Sequence, residues 1–270
     1  SRSSIHQLLP LVATSLATGK SPTKHGVLHQ AELKPDKSEL QSLTKASRQA
    51  LSVWEIAAQQ GVKSAAVNWP ATYDPYQDLL AESPSESALI FSDQYTKAIT
   101  PNFESWPLLP GSVSHKAWLP VALELRIHPK EIDPSQVAFF APKIKPSDEI
   151  ADNLFDFMAA GLAQCASAHA VATYILQNTE SDLVCIQYDI LEQFATQLPR
   201  LAKKNPQVTI DCQYAIEQCY RYVDLMLARL LQLKSDMANV VIYSDAGLPD
   251  PSGKFRNLGY FLAQGPVIKS

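Results

Sequence analysis

Apolar positions recur along this chain in two rhythms, one helical and one of short continuous runs. Residues 46–60 (ASRQALSVWEIAAQQ) place Leu51, Trp54, Ile56 and Ala58 on one broad face, and Gly61 follows as a natural stop, so a helix is expected there. Residues 64–69 (SAAVNW) read as a buried strand, and Ile90 and Phe91 start a further short one. Ser147 can cap a helix, Asp148 and Glu149 suit its positive end, and Ile150, Leu154, Phe157, Met158, Leu162 and Cys165 continue at helical spacing. That pattern predicts a long helix running to about residue 177. Residues 183–188 (LVCIQY) form an apolar run of strand length, as in a strand covered on both faces. Ile216, Tyr220, Val223, Leu227 and Leu230 stripe a second long helix over 214–233, and residues 239–244 (NVVIYS) form a strand with Asp245 at its carboxyl end. Strands alternating with helices predict an α/β fold: a mainly parallel central sheet, helices on both faces and a site at the strand ends.

Between 101 and 146 the character changes. Pro101, Pro107, Pro110, Pro120, Pro129, Pro134, Pro142 and Pro146 interrupt any long helix or central strand, so 101–146 is read as a Pro-rich cap or insertion. With 270 residues, 46% hydrophobic and 19% charged, the chain suits one large domain over 1–270. A net charge of −4 supplies no general field for polyanions, and no nucleic-acid partner is expected. No apolar run reaches the roughly 18 residues of a membrane span. Cys165, Cys185, Cys212 and Cys219 lack CxxC spacing and read as free thiols, which points to a reducing, cytoplasmic setting.

The densest motif is residues 9–26, LPLVATSLATGKSPTKHG. Pro10, Thr14, Ser15, Ala17, Thr18, Gly19, Lys20, Pro22, His25 and Gly26 fall without a gap on the pattern S/T-P-x-L-W-T-S-I-A-T-G-K-x-P-x-x-H-G. In this the chain resembles the type I phosphodiesterase/nucleotide pyrophosphatase branch of the alkaline phosphatase superfamily. The resemblance extends to the segment from Trp54 to Pro70, which ends in VNWP at 67–70, to Tyr188, Asp189 and Phe194, and to residues 244–268. It implies an alkaline phosphatase-like domain, incomplete at both ends, because the family's earlier strand with an Asp ligand and its closing segment are not visible. Another segment or a protein partner is therefore expected to complete the sheet.

The resemblance also implies a chemistry, phosphate-ester hydrolysis by two divalent metals held on carboxylates and neutral imidazoles. At all of these positions but one this chain departs from it. Leu9 stands where the family has its Ser or Thr nucleophile. Glu192 takes the place of an Asp ligand and Thr196 that of a His four residues on, with Gln193 replacing a further His. Asp245 keeps a ligand position, whereas Ala246 and Phe255 replace histidines. A leucine cannot attack phosphorus, and a neutral hydroxyl is a poor zinc donor.

The reading favoured by these residues is a catalytically degenerate domain retained for binding, scaffolding or regulation in a larger assembly, with no cofactor. Glu192 and Asp245 are then vestigial metal candidates, and Leu9, Ala246 and Phe255 a possible apolar cleft floor suited to an aromatic or acyl group. The alternative is an active metal-dependent phosphodiesterase using Asp189, Glu192 and Asp245 with zinc, manganese or magnesium. More ordinary roles compete at every position: Asp245 can cap a turn, Asp189 and Glu192 can be solvated loop carboxylates, and Lys20 and Lys24 can be solvated surface cations. His25 and His169 read as hydrogen-bonding structural residues.

Overall fold

A computed structural model describes residues 9–33, 39–75, 88–97, 106–143, 149–204, 211–244 and 259–268. The chain packs as two units, the first drawn from 1–97, 107–125 and 178–187. Its centre is a parallel three-stranded sheet in the order β4-β3-β5, with β3 at Ser64–Trp69, β4 at Leu89–Ser92 and β5 at Leu183–Ile186. All six residues of β3 are buried, as the middle strand requires. The small side chains of Ala65 and Ala66 let neighbouring elements approach closely.

Helix α3 (Val53–Gln59) packs on β3 and β5. It starts later than the apolar spacing suggests: residues 45–47 make only a 3-10 turn, and Leu51 and Ile56 are exposed while Trp54 and Ala58 are buried. The cause is a capping box. The Glu55 carboxylate accepts from both the Ser52 N–H (2.8 Å) and the Ser52 hydroxyl (2.7 Å), which fixes Ser52 as the residue before the first turn.

Helix α1 (Leu9–Thr18) and the single turn α2 (Pro22–His25) precede a small hairpin, β1 (Ala31–Leu33) with β2 (Leu40–Ser42). The indole N–H of Trp69, at the end of β3, donates to the Ala13 carbonyl in α1 at 3.2 Å, and the Trp69 ring meets Trp54 of α3 edge-on with centroids 5.3 Å apart. Asn68 takes a left-handed conformation (φ 56°) at an irregularity in the β3–β4 register, and its amide donates to the Gln187 carbonyl just beyond β5. In the Pro-rich stretch, Val113 bridges to Phe91, and the Tyr95 hydroxyl reaches the Ala122 carbonyl of α4 (Leu119–Leu125) at 2.8 Å.

The second unit draws on 98–106, 126–177 and 188–270. It contains α5 (Pro134–Phe140), nearly all of α6 (Glu149–Asn178), α7 (Ile190–Lys204) and α8 (Cys212–Leu233). Their apolar faces meet in one core built from Val137, Phe140, Met158, Leu162, Phe194 and Leu198, joined from α8 by Cys219. Strands β6 (Val240–Ser244) and β7 (Tyr260–Gln264) pair antiparallel in a two-stranded ribbon. Among the described residues no helix is long and apolar enough to cross a membrane.

Gly161 of α6 lies under the Phe194 ring, where an added Cβ would sit 2.9 Å from a ring carbon. Chemical denaturation should therefore show Gly161→Ala losing about 1–3 kcal/mol and Phe194→Ala about 3–5 kcal/mol; unchanged midpoints in both would contradict this packing.

Candidate functional site

Leu9 is the first residue of α1, and its side chain lies outside the described residues. Asp245, Ala246 and Phe255 also lie outside them. Glu192 and Thr196 are brought together: both belong to α7, one turn apart and on the same face. The segment following β5 is thus a helix and not a loop, so Glu192 is a half-buried helical residue of the first turn rather than a solvated loop carboxylate. Asp189 stands at its head, its carbonyl accepting from the Gln193 N–H at 2.9 Å.

Thr196 is buried, and its hydroxyl donates to the Gln193 carbonyl of its own helix at 3.3 Å. The Gln193 amide is directed to the Gln164 side chain at 3.4 Å. On α7 a carboxylate and a hydroxyl turned back on its own backbone thus share one face. Among the described residues no three His, Cys, Asp or Glu side chains gather as a metal-binding group.

The motif after Leu9 is organised by hydrogen bonds. The Thr18 hydroxyl donates to the Thr14 carbonyl at 2.7 Å and receives the Lys20 N–H, closing the end of α1. Gly19 and Gly26 both take positive φ, 63° and 83°, so the chain can turn out of α1 and again out of α2. His25 is fully buried, with Nε2 2.9 Å from the Ser15 hydroxyl and Nδ1 accepting the Val27 N–H at 3.2 Å. A backbone N–H can only donate, so the neutral ring carries its proton on Nε2 and Ser15 accepts it. That is the wrong tautomer for a base that activates serine. His25 is a structural tie, as its position in the motif suggests.

His169 on α6 likewise makes a hydrogen bond, Nδ1 to the Tyr188 hydroxyl at 2.8 Å. Burial, with the Arg229 charge, lowers its pKa and favours the neutral ring. Cys165 and Cys219 are buried free thiols, and burial raises both, Cys219 to about 12, so neither is a thiolate nucleophile near neutrality.

A cavity of about 280 Å3 in the first unit escaped sequence reasoning; Lys45, Arg48, Trp54, Glu55, Asp74 and Ile90 help to line it. Its charges compensate one another. Arg48 grips Glu55 in a fork of 2.6 and 2.9 Å, and Lys45 lies 3.5 Å from Asp74. The signal available in the sequence was Ser52-x-x-Glu55, a capping box with Arg48 one helical span before it. Burial pushes the Glu55 carboxyl up, but hydrogen bonds and charge from Arg48, helped by Ser52, pull it down to about 2.

With these geometries the chain is an α/β protein whose motif-bearing helix is fastened to a parallel sheet. Over residues 11–261 it matches the type I phosphodiesterase / nucleotide pyrophosphatase family, and it belongs to that family. Among solved structures it is similar to phosphonoacetate hydrolase from Sinorhizobium meliloti 1021, determined in complex with phosphonoformate, at 17% identity and a TM-score of 0.43, covering 89% of this chain and 46% of that one. The chain thus spans about half the length of that hydrolase. No curated protein matches it.

Because the folded Glu55 pKa lies below the ordinary 4.5, its contribution to stability is complete above that pH and is lost as pH falls toward about 2. Urea midpoints measured across this interval should fall more steeply for the wild type than for Glu55→Gln; parallel slopes would remove the assigned pair.

Proposed function

We propose that this chain is a catalytically degenerate member of the phosphodiesterase/nucleotide pyrophosphatase family, retained for binding, scaffolding or regulation. The observation that carries the reading is the state of Thr196. At a position where the family places a metal-binding imidazole, it holds a buried hydroxyl engaged with its own helix. Leu9 at the nucleophile position and Ala246 and Phe255 at two further imidazole positions support the same conclusion. Losing one donor can be compensated by a neighbour; losing the attacking oxygen together with three imidazoles removes both halves of a two-metal mechanism. Glu192 and Asp245 are then vestigial ligands, and Leu9, Ala246 and Phe255 make the old cleft floor apolar.

Residues 1–270 are taken as one alkaline phosphatase-like domain whose sheet is completed by another segment or chain. Supporting this, no strand among the described residues pairs with the outer edge of β5.

Hydrolysis of a generic phosphodiester by the purified protein, with zinc, manganese or magnesium added in turn, should show no turnover above the metal-only control. Metal-dependent turnover abolished by Asp245→Ala would replace this reading with that of an active hydrolase using rearranged ligands.

A further inference from the structure

We infer that His25 is a proton-sensitive latch on the segment that carries the nucleophile position: neutral, it ties α1 to the turn at Val27, and protonated, it releases that turn. Three connections converge on this residue. Its Nε2 reaches the Ser15 hydroxyl of α1 at 2.9 Å, its Nδ1 accepts the Val27 N–H at 3.2 Å, and its carbonyl accepts the Gln49 N–H at 2.9 Å. His25 and Val27 are both buried, with 0% and 1% of their surfaces exposed, so water cannot replace a broken contact without the segment opening.

The proton arrangement allows one closed state. A second ring proton would sit on Nδ1 and face the Val27 N–H, turning a hydrogen bond into two opposed donors. It would also bury a cation, at a cost only a nearby anion could offset. Among the described residues the groups bonded to the ring are neutral: the Ser15 hydroxyl and Leu11 carbonyl from α1, its own carbonyl, and the Val27 N–H. Among the described residues no carboxylate contributes to its titration, and the nearest charges in sequence, Lys20 and Lys24, are exposed cations. Burial lowers the His25 pKa, outweighing the carbonyls of Leu11 and His25 that raise it. A folded pKa below the ordinary value means that the latch's stability is complete above about pH 6.5 and declines as pH falls below it. The inference concerns the motif's fold and holds whether or not the cleft has chemistry.

The test is amide hydrogen exchange of the intact protein at pH 7.5 and pH 5.5, read at Val27 and corrected for the intrinsic rate, with the His25 ring titrated by NMR. The protection of Val27 should fall several-fold at the lower pH, with about tenfold as the ceiling that proton linkage sets, and the ring should titrate below about 6.5 from the Nε2–H tautomer. In His25→Asn the side-chain oxygen can still accept the Val27 N–H but does not titrate, so that variant should show a flat pH response. Equal Val27 protection at both pH values in the wild type, or an equal fall in His25→Asn, would overturn the proposal; the wild-type comparison decides even if the variant does not fold.

Discussion

One buried contact fastens the motif to the fold: the Trp69 indole N–H donates to the Ala13 carbonyl. It joins α1, which carries the family's nucleophile motif, to the central strand of the parallel sheet. Trp54 packs edge-on against the same indole, so the strand and its two helices share one aromatic joint. An indole has a single donor, and a buried one must find an acceptor, which makes the joint directional as well as apolar. The motif is thus held in place whatever the role of Leu9 at its start.

Much of the fold was legible because its central elements are strongly patterned. Six buried residues in a row, Ser64–Trp69, announce a middle strand, and the stripes beginning at Leu154 and at Ile216 announce α6 and α8. Two elements escaped for physical reasons. Over 46–60 the apolar count overstated the helix, because the Ser52–Glu55 capping box decides where its turns begin. In 190–204, the helical spacing of Ile190, Phe194, Leu198 and Leu201, which bury one face of α7, is masked by the polar residues Glu192, Gln193 and Thr196 between them. Pairing direction was a third limit: the run Val240–Ser244 looks alike in a parallel sheet and in the antiparallel ribbon it forms with β7.

The candidate site is present in the sequence only as a set of substitutions, without a geometry. Sequence alone puts Glu192 and Thr196 four residues apart; α7 makes that spacing a shared face, and the hydroxyl's bond to Gln193 shows how Thr196 is used. The tautomer of His25 was beyond the sequence, since it follows from where the Val27 N–H points. The Arg48–Glu55 fork and the cavity beside it likewise depend on the chain turning back between the 3-10 turn at 45–47 and α3.

The central claim is that the donor atoms for a pair of metal ions are gone while the fold around them remains. Zinc titration of the wild type against a variant carrying Leu9→Thr, Glu192→Asp, Thr196→His, Ala246→His and Phe255→His tests it most directly. The account predicts no stoichiometric uptake by the wild type and gained uptake by the variant. Binding of about two zinc ions per wild-type chain, the complement of a two-metal hydrolase, would contradict it.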